Sequence, residues 1–426
     1  MKRGAFPVWG IPLFLMVCCP PTIILLWMVA VQNDGSLTEF LRTTTWNDFA
    51  ARFPLPSFTA AKILVCWALL QLVLLVVLPG KEHFGPVTAM GNRPHYKLNG
   101  IAAFLVTHAL VVIAAYSLVL FSPTILYDDF GAILSLLGLL AFIFCAVLNW
   151  KGLRFPSTTD TNRTGNVISN FYWGVELHPT IIGVSLKQLV VCRLSMMSWS
   201  VILLSFVAKQ YELYGYVSNA MWLSVGLQVL YVFKFFLWEG GYFASLDMMH
   251  DRFGFYICWG TMAWLPCVYP LVGLYLVRHP IDLPIWSVVA VAALGVVSLW
   301  MNYAADLQRQ KIRETDGKVK IWGKEPEIVR AKYMTADGVE REGILLASGY
   351  WRIARHFHYV PEILLALAWT LPALFDHALP YFYVVYLTIL LVHRSERDEL
   401  RCRKKYGQDW MRYCEKARYK IIPGLY

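Results

Sequence analysis

The segment Leu390-Leu391-Val392-His393-Arg394-x-x-Arg397-Asp398-x-x-x-Cys402-x-x-Lys405-Tyr406-Gly407-x-Asp409-Trp410 sets cationic, acidic and aromatic groups directly behind an apolar helix. Such a segment sits at a membrane face, and its guanidinium and ammonium groups can hold an anion such as a phosphate. Arg309 and Arg313 stand four positions apart in Gln308-Arg309-Gln310-Lys311-Ile312-Arg313, so a helix running through them would put both guanidiniums on one face as a phosphate clamp. A third dense stretch, Ser348-Gly349-Tyr350-Trp351-x-x-Ala354-Arg355-His356-Phe357-His358-Tyr359-Val360-Pro361-Glu362, offers Trp351 to stack on a flat ring and Arg355 to pair with phosphate. It also offers His356 and Tyr359 to donate hydrogen bonds. His356 and His358 without a further histidine box are poor metal ligands, and no metal is expected. Each charged stretch also reads as a solvated flank that fixes orientation in a membrane, and the aromatics as an interfacial belt.

Trp238-Glu239-Gly240-Gly241-Tyr242, followed by Asp247, His250 and Asp251, places ionisable groups at the end of an apolar run. Charges at membrane depth are costly unless paired or hydrated. Glu239 can pair with Lys234, and Asp251 with Arg252 or a helix N-terminal amide, which would make the set structural. The chemical reading is a proton donor: the Tyr242 phenol can give a proton inside an apolar pocket, with Glu239 or Asp247 orienting or re-protonating it through water. Trp238, Phe255, Trp259, Trp264 and Tyr269 would wall such a pocket, or simply pack.

The elements that must position these groups are membrane helices. The 426-residue chain is 58% hydrophobic and only 15% charged, and its apolar residues gather in long runs. Spans are expected near residues 11 to 32, 61 to 79, 100 to 121, 131 to 150, 190 to 208, 218 to 238, 255 to 277 and 285 to 304. A shorter helical hairpin is expected near 361 to 375 and 379 to 393, broken by Pro372, Asp376 and Pro380. The fold class is therefore all-α, a polytopic membrane protein of about ten transmembrane helices. It divides into N-terminal helices over 1–208 and a C-terminal half over 209–426 that carries the binding pockets.

The net charge of +10 does not form a basic module, so no nucleic-acid partner is expected. Lys2, Arg3, Lys81, Arg93, Lys97, Lys151, Arg154, Arg163, the 305 to 358 loop and the tail fall on one side, which the positive-inside rule makes cytosolic. Cys18, Cys19, Cys66, Cys145, Cys192, Cys258 and Cys267 lie in or beside spans without paired spacing and read as reduced packing residues. The first apolar run reads as a retained span and not a cleaved signal. No Gly-x-Gly-x-x-Gly or Walker-type loop occurs, so a nucleotide would have to bind the helical bundle itself, in the donor-rich 305 to 426 region.

The Leu390-to-Trp410 segment resembles the C-terminal motif of the sterol reductase family, which contains the sterol Δ14- and Δ7-reductases and the lamin B receptor. Arg355-His356-Phe357-His358-Tyr359-Val360-Pro361-Glu362 is similar to the plant-type Δ7 branch, where Δ14 members usually read Arg-His-Pro-Asn-Tyr followed by Leu-Gly-Asp. Gly91-Asn92-Arg93-Pro94-x-Tyr96-Lys97-x-Asn99-Gly100, Trp173-Gly174-x-Glu176-Leu177-x-Pro179 and Tyr256-Ile257-Cys258-Trp259-Gly260 extend the resemblance through nearly the whole chain. One loop departs from the family pattern: Glu176-Leu177-His178-Pro179-Thr180, with Ser169-Asn170 upstream, lacks the usual arginine and aspartate, and no catalytic role is carried onto it.

The resemblance implies a reductase that uses NADPH to saturate the ring-B double bond of a 5,7-diene sterol, with the cofactor entering from the cytosol and the sterol from the bilayer. Arg309, where many members have lysine, and Arg313 would bind cofactor phosphates together with Arg394, Arg397 and Lys405. Asp398 would accept from a ribose hydroxyl or hold an arginine, and Tyr406 and Trp351 would flank the cofactor. Tyr242 would be the acid, as in the reading from the residues alone. The alternatives are a Δ14-reductase, a non-catalytic sterol-binding membrane protein, and a methyltransferase of the isoprenylcysteine carboxyl type. The membrane would be the endoplasmic reticulum in a eukaryote or the inner membrane in a bacterium.

Overall fold

A computed structural model describes residues 9–426; Lys2 and Arg3 lie outside the described residues. Among these residues, eight helices are long and apolar enough to cross a membrane. They are α1 (Gly10–Gln32), α2 (Phe58–Val77), α3 (Gly100–Ser117), α4 (Phe130–Arg154), α5 (Gln188–Tyr214), α6 (Asn219–Leu237), α7 (Phe255–Arg278) and α8 (Ile285–Glu314). Each coincides with an expected long span. The expected short hairpin is α9 (Tyr359–Thr370) and α10 (Phe382–Tyr406), and α10 is followed by α11 (Gln408–Lys416). The break between α9 and α10 is built from single 3₁₀ turns at Leu371–Ala373 and Leu379–Tyr381, each containing a proline that cannot donate to a helix.

The chain forms two compact units. Of the described residues, the first comprises those up to 88, 92–282 and 373–380, and the second 89–91, 283–372 and 381–426. In the first unit α5 and α7 are the inner helices, 83% and 72% buried over their most apolar stretch, against 22% for the peripheral α2. Side-chain caps fix the helix starts: Ser57 accepts from the Ala60 amide at 2.9 Å and Ser218 from the Met221 amide at 3.3 Å. α5 opens with a nine-residue π-helical stretch, Gln188–Met196, and α3 and α7 contain further π-helical turns at Ile113–Ser117 and Gly260–Trp264. Such widened turns re-aim side chains and are common beside functional positions.

Of the aromatic residues expected to wall a pocket, Phe255 and Trp259 are core packing. They stack on each other at 4.9 Å, both are buried, and the Trp259 indole donates to the Gly138 carbonyl at 3.1 Å.

Strands are few among the described residues: β1 (Lys81–Phe84) with β2 (His95–Leu98), β3 (Thr180–Ile181) with β4 (Val184–Ser185), and β5 (Ile328–Met334) with β6 (Glu340–Leu346), all antiparallel. The last pair occupies what the sequence presents as a charged loop. Ala336-Asp337-Gly338 separates the two strands, and Gly338 at φ +81° closes a three-residue turn in which Thr335 and Val339 pair. In the second unit α11 packs on β5, and Trp410, Tyr413 and Ala417 bury against Val329, Ala331, Leu345 and Ala347.

Candidate functional site

In the second unit α8 remains helical through Glu314, which puts Arg309 and Arg313 one turn apart on one face. The Arg309 guanidinium lies 4.5 Å from the Trp351 ring centroid and donates to Asp306 at 3.1 Å. Trp351 is 4% exposed, with its indole N–H donating to the Ala305 carbonyl at 2.8 Å and the His358 ring 5.1 Å away, so its contacts are those of a packed residue that orients Arg309. Arg355 is likewise built in. Its Nε donates to Glu399 at 2.6 Å and its Nη1 to the Ala417 and Arg418 carbonyls at 2.6 and 2.9 Å, which ties the C-terminal segment down.

His356 is buried, stacked on Tyr359 at 5.2 Å, and places Nε2 4.0 Å from Asp398 and 3.9 Å from Glu399. Burial pushes its pKa down to about 4, against the pull of the two carboxylates, so the ring is neutral at physiological pH. Asp398 accepts from Arg401. On α10 the residues Arg394, Arg397, Asp398, Arg401 and Lys405 recur at three- and four-residue spacing, so the helix presents one charged stripe. Arg401 was not among the residues singled out from the sequence, although that periodicity would have found it.

Lys405 ends the stripe, 3.8 Å over the Tyr333 ring and 4.9 Å over that of Tyr406, while Tyr406 sits edge-on to Tyr333 at 5.6 Å. Burial, together with the like charges of Arg401 and Arg313, lowers the Lys405 pKa to about 8, and burial raises that of Tyr406 to about 12. Arg313 also lies within electrostatic range of Arg309 and Tyr406. Cations that press on one another across two helices are stabilised by an anion placed among them. The donor set of guanidiniums, one ammonium and a flanking phenol suits the phosphates of a dinucleotide.

The first unit holds Glu239, Tyr242 and Asp247. Glu239 is 3% exposed and pairs with Arg193, itself fully buried in the π-helical start of α5, and not with Lys234, which lies over the Trp238 ring at 5.1 Å. Both Arg193 terminal nitrogens reach the carboxylate, Nη2 at 3.0 Å, and the same Nη2 donates to Asn99 at 2.9 Å. The second Glu239 oxygen also takes the Gly100 amide at 3.0 Å, while the Asn99 amide nitrogen donates to the Leu75 and Leu78 carbonyls at 3.0 and 3.1 Å. One buried pair thus ties the end of α2, the start of α3, α5 and the Glu239–Tyr242 turn together. The signal was an arginine inside an apolar span, which is a pairing or function signal by default.

Tyr242 is half-buried with its ring 4.8 Å from Phe235. Close packing fixes its neighbourhood: a Cβ on Gly241 would fall 1.9 Å from Trp238. Asp247 lies in the first turn of the next short helix, Leu246–Met249, which Ser245 caps through the Met248 amide at 3.4 Å.

A family profile described as "Ergosterol biosynthesis ERG4/ERG24 family" matches residues 3–426. The chain is 46% identical over 418 residues to the 7-dehydrocholesterol reductase of Arabidopsis thaliana, covering 97% of this chain and 96% of that one. It is 35% identical over 414 residues to the Delta(14)-sterol reductase of Methylotuvimicrobium alcaliphilum (97% and 94%), and 36% identical over 431 residues to the 7-dehydrocholesterol reductase of Danio rerio (97% and 90%).

Proposed function

The chain belongs to the ERG4/ERG24 family of sterol reductases, and from that membership we propose that it is a multi-pass membrane reductase saturating the ring-B Δ7 bond of 5,7-diene sterols with NADPH. The observation that carries the substrate assignment is the 46% identity, over 97% of the chain, to a plant 7-dehydrocholesterol reductase. The cation cluster of α8 and α10 carries the cofactor assignment. Arg309, Arg313, Arg394, Arg397 and Lys405 would neutralise phosphates, Asp398 would hold Arg401 or a ribose hydroxyl, and Tyr406 would flank the cofactor. Trp351, Arg355, His356 and Tyr359 would support them. When bound, the dihydronicotinamide supplies a hydride. Tyr242 would supply the proton to the neighbouring carbon, and Asp247 would re-protonate it, while the Arg193 pair makes Glu239 the residue that orients the turn. The residues assigned here to cofactor and proton all lie in 209–426, the half we assign to binding, with 1–208 as its support. The working face would be cytosolic and the sterol would enter from the bilayer.

The test is a side-by-side incubation of membranes holding the chain with 7-dehydrocholesterol, a Δ14-unsaturated sterol, NADPH and NADH. The Δ7 substrate with NADPH is expected to give saturated product at the highest kcat/KM. Preferential turnover of the Δ14 substrate would replace this reading with the one suggested by the 35% relative.

Lys405 makes cofactor binding pH-dependent. Its pKa in the free protein is about 8, and phosphate beside it favours the charged form, so binding takes up a proton above that pH. The KM for NADPH is therefore expected to rise as pH climbs through about 8, by up to about tenfold per unit. Lys405→Arg should flatten that rise while keeping affinity at pH 7, and an unchanged profile in this variant would remove Lys405 from the site.

A further inference from the structure

Lys187, immediately before α5, is completely buried in the first unit, with Nζ 3.0 Å from the Met248 carbonyl and 2.5 Å from that of Asp251. The carboxylates of Asp247 and Asp251 lie within its electrostatic range from the 246–251 segment, and Arg252 stands beside Asp251. His178, also within electrostatic range of Lys187, is 5% exposed, with Nδ1 3.2 Å from the Tyr96 hydroxyl and Nε2 without a hydrogen-bond partner among the described residues. Tyr96 in turn stacks on Phe243, the residue after Tyr242, at 4.0 Å.

A clamp on two carbonyls needs a donor but not a titratable one, and a buried ammonium in a membrane unit is a costly way to provide it. Burial lowers the Lys187 pKa to about 7 even with both aspartates opposing, and His178, pushed down to about 2 by burial and by Lys187, stays neutral. Lys187 is therefore a group that can give and regain a proton near neutral pH, next to the carboxylate that adjoins the Tyr242 turn.

We propose that Lys187 is a positioning residue for proton supply, holding the 246–251 segment and passing a proton to Asp247 after each turnover. The proposal rests on the Tyr242 reading above. In each cycle Tyr242 would give its O–H proton to one carbon of the Δ7 bond as the π bond breaks, the other carbon taking the hydride that a bound NADPH would release from its reduced ring on becoming NADP+. The phenolate then takes a proton through Asp247 from the Lys187 ammonium, and the resulting amine takes one from water.

The experiment compares wild type, Lys187→Met and Lys187→Arg as purified full-length chains in lipid nanodiscs with 7-dehydrocholesterol and saturating NADPH, following product through the first and later turnovers from pH 6 to 9. Both variants are expected to keep a first-turnover burst of wild-type amplitude and rate, because Tyr242 starts protonated. Later turnovers should slow by at least about tenfold, with the KM for NADPH unchanged. The arginine variant, which keeps the two carbonyl contacts but does not deprotonate, should lose the neutral-pH break in steady-state rate while retaining wild-type thermal stability.

Wild-type later turnovers and pH profile in the arginine variant would overturn the proposal, as would loss of the burst in parallel with the steady state. If the methionine variant does not fold, the arginine variant decides alone. A wild-type chain that forms no product at all overturns the Δ7-reductase reading itself, which the variant comparison cannot mimic.

Discussion

Tyr242→Phe is expected to lower kcat by about 10²–10⁴-fold, the usual contribution of a positioned general acid, with the KM for NADPH unchanged. The reason is chemical: the hydrocarbon diene has no carbonyl to hold charge, so the proton must arrive from a placed donor. The substitution removes one oxygen from a half-buried ring whose packing on Phe235 at 4.8 Å is otherwise preserved. Steady-state turnover of 7-dehydrocholesterol with saturating NADPH is the measurement. A kcat within twofold of wild type would assign the proton to another group, whereas a raised KM for NADPH would place Tyr242 in cofactor binding instead.

The largest effect on stability is expected at Arg193. Replacing it by alanine leaves the Glu239 carboxylate, 3% exposed, with the Gly100 amide as its remaining hydrogen-bond donor among the described residues. Removing one partner of a buried ion pair costs about 3–5 kcal/mol, because the remaining charge stays desolvated. Asn99 loses a donor to its side-chain oxygen at the same time, loosening its hold on the end of α2. Thermal unfolding in detergent should therefore shift down by several degrees. The double replacement Arg193→Met with Glu239→Leu, which removes both charges at similar volume, should recover most of the loss. A double variant as unstable as the single one would mean that shape, and not the uncompensated charge, sets the stability here.

The long helices were legible because they rest on a strong physical signal: uninterrupted apolar runs such as Phe130–Arg154 and Ile285–Glu314 leave little else to form in lipid. The Arg309 and Arg313 spacing was legible for the same reason, since α8 had only to continue. The hairpin of Ile328–Met334 and Glu340–Leu346 is hidden in the sequence because its alternation is carried by charged residues, Arg330, Lys332, Glu340 and Glu342, that also read as a solvated loop.

Long-range partners were the least legible. Glu239 has Lys234 nearby in sequence, yet its partner Arg193 is 46 residues away, brought close only by the packing of α5. Lys187 and its contacts to Met248 and Asp251 span more than 60 residues, and no local pattern announces them. Both cations could have been marked as unusual by their place at or inside an apolar run, without their partners being named. Trp351 and Arg355 show the converse. Their types suit a cofactor, but Ala305, Glu399, Ala417 and Arg418 take their donors.

The most direct test of the account follows two labels into one product. Purified chain is given 7-dehydrocholesterol with NADPH deuterated at the transferring C4 position in ordinary water, and then unlabelled NADPH in deuterated water. Direct hydride transfer with a separate proton donor predicts one deuterium in each product, on opposite carbons of the former Δ7 bond. Product carrying no label from the nicotinamide, or both labels from solvent, would contradict it.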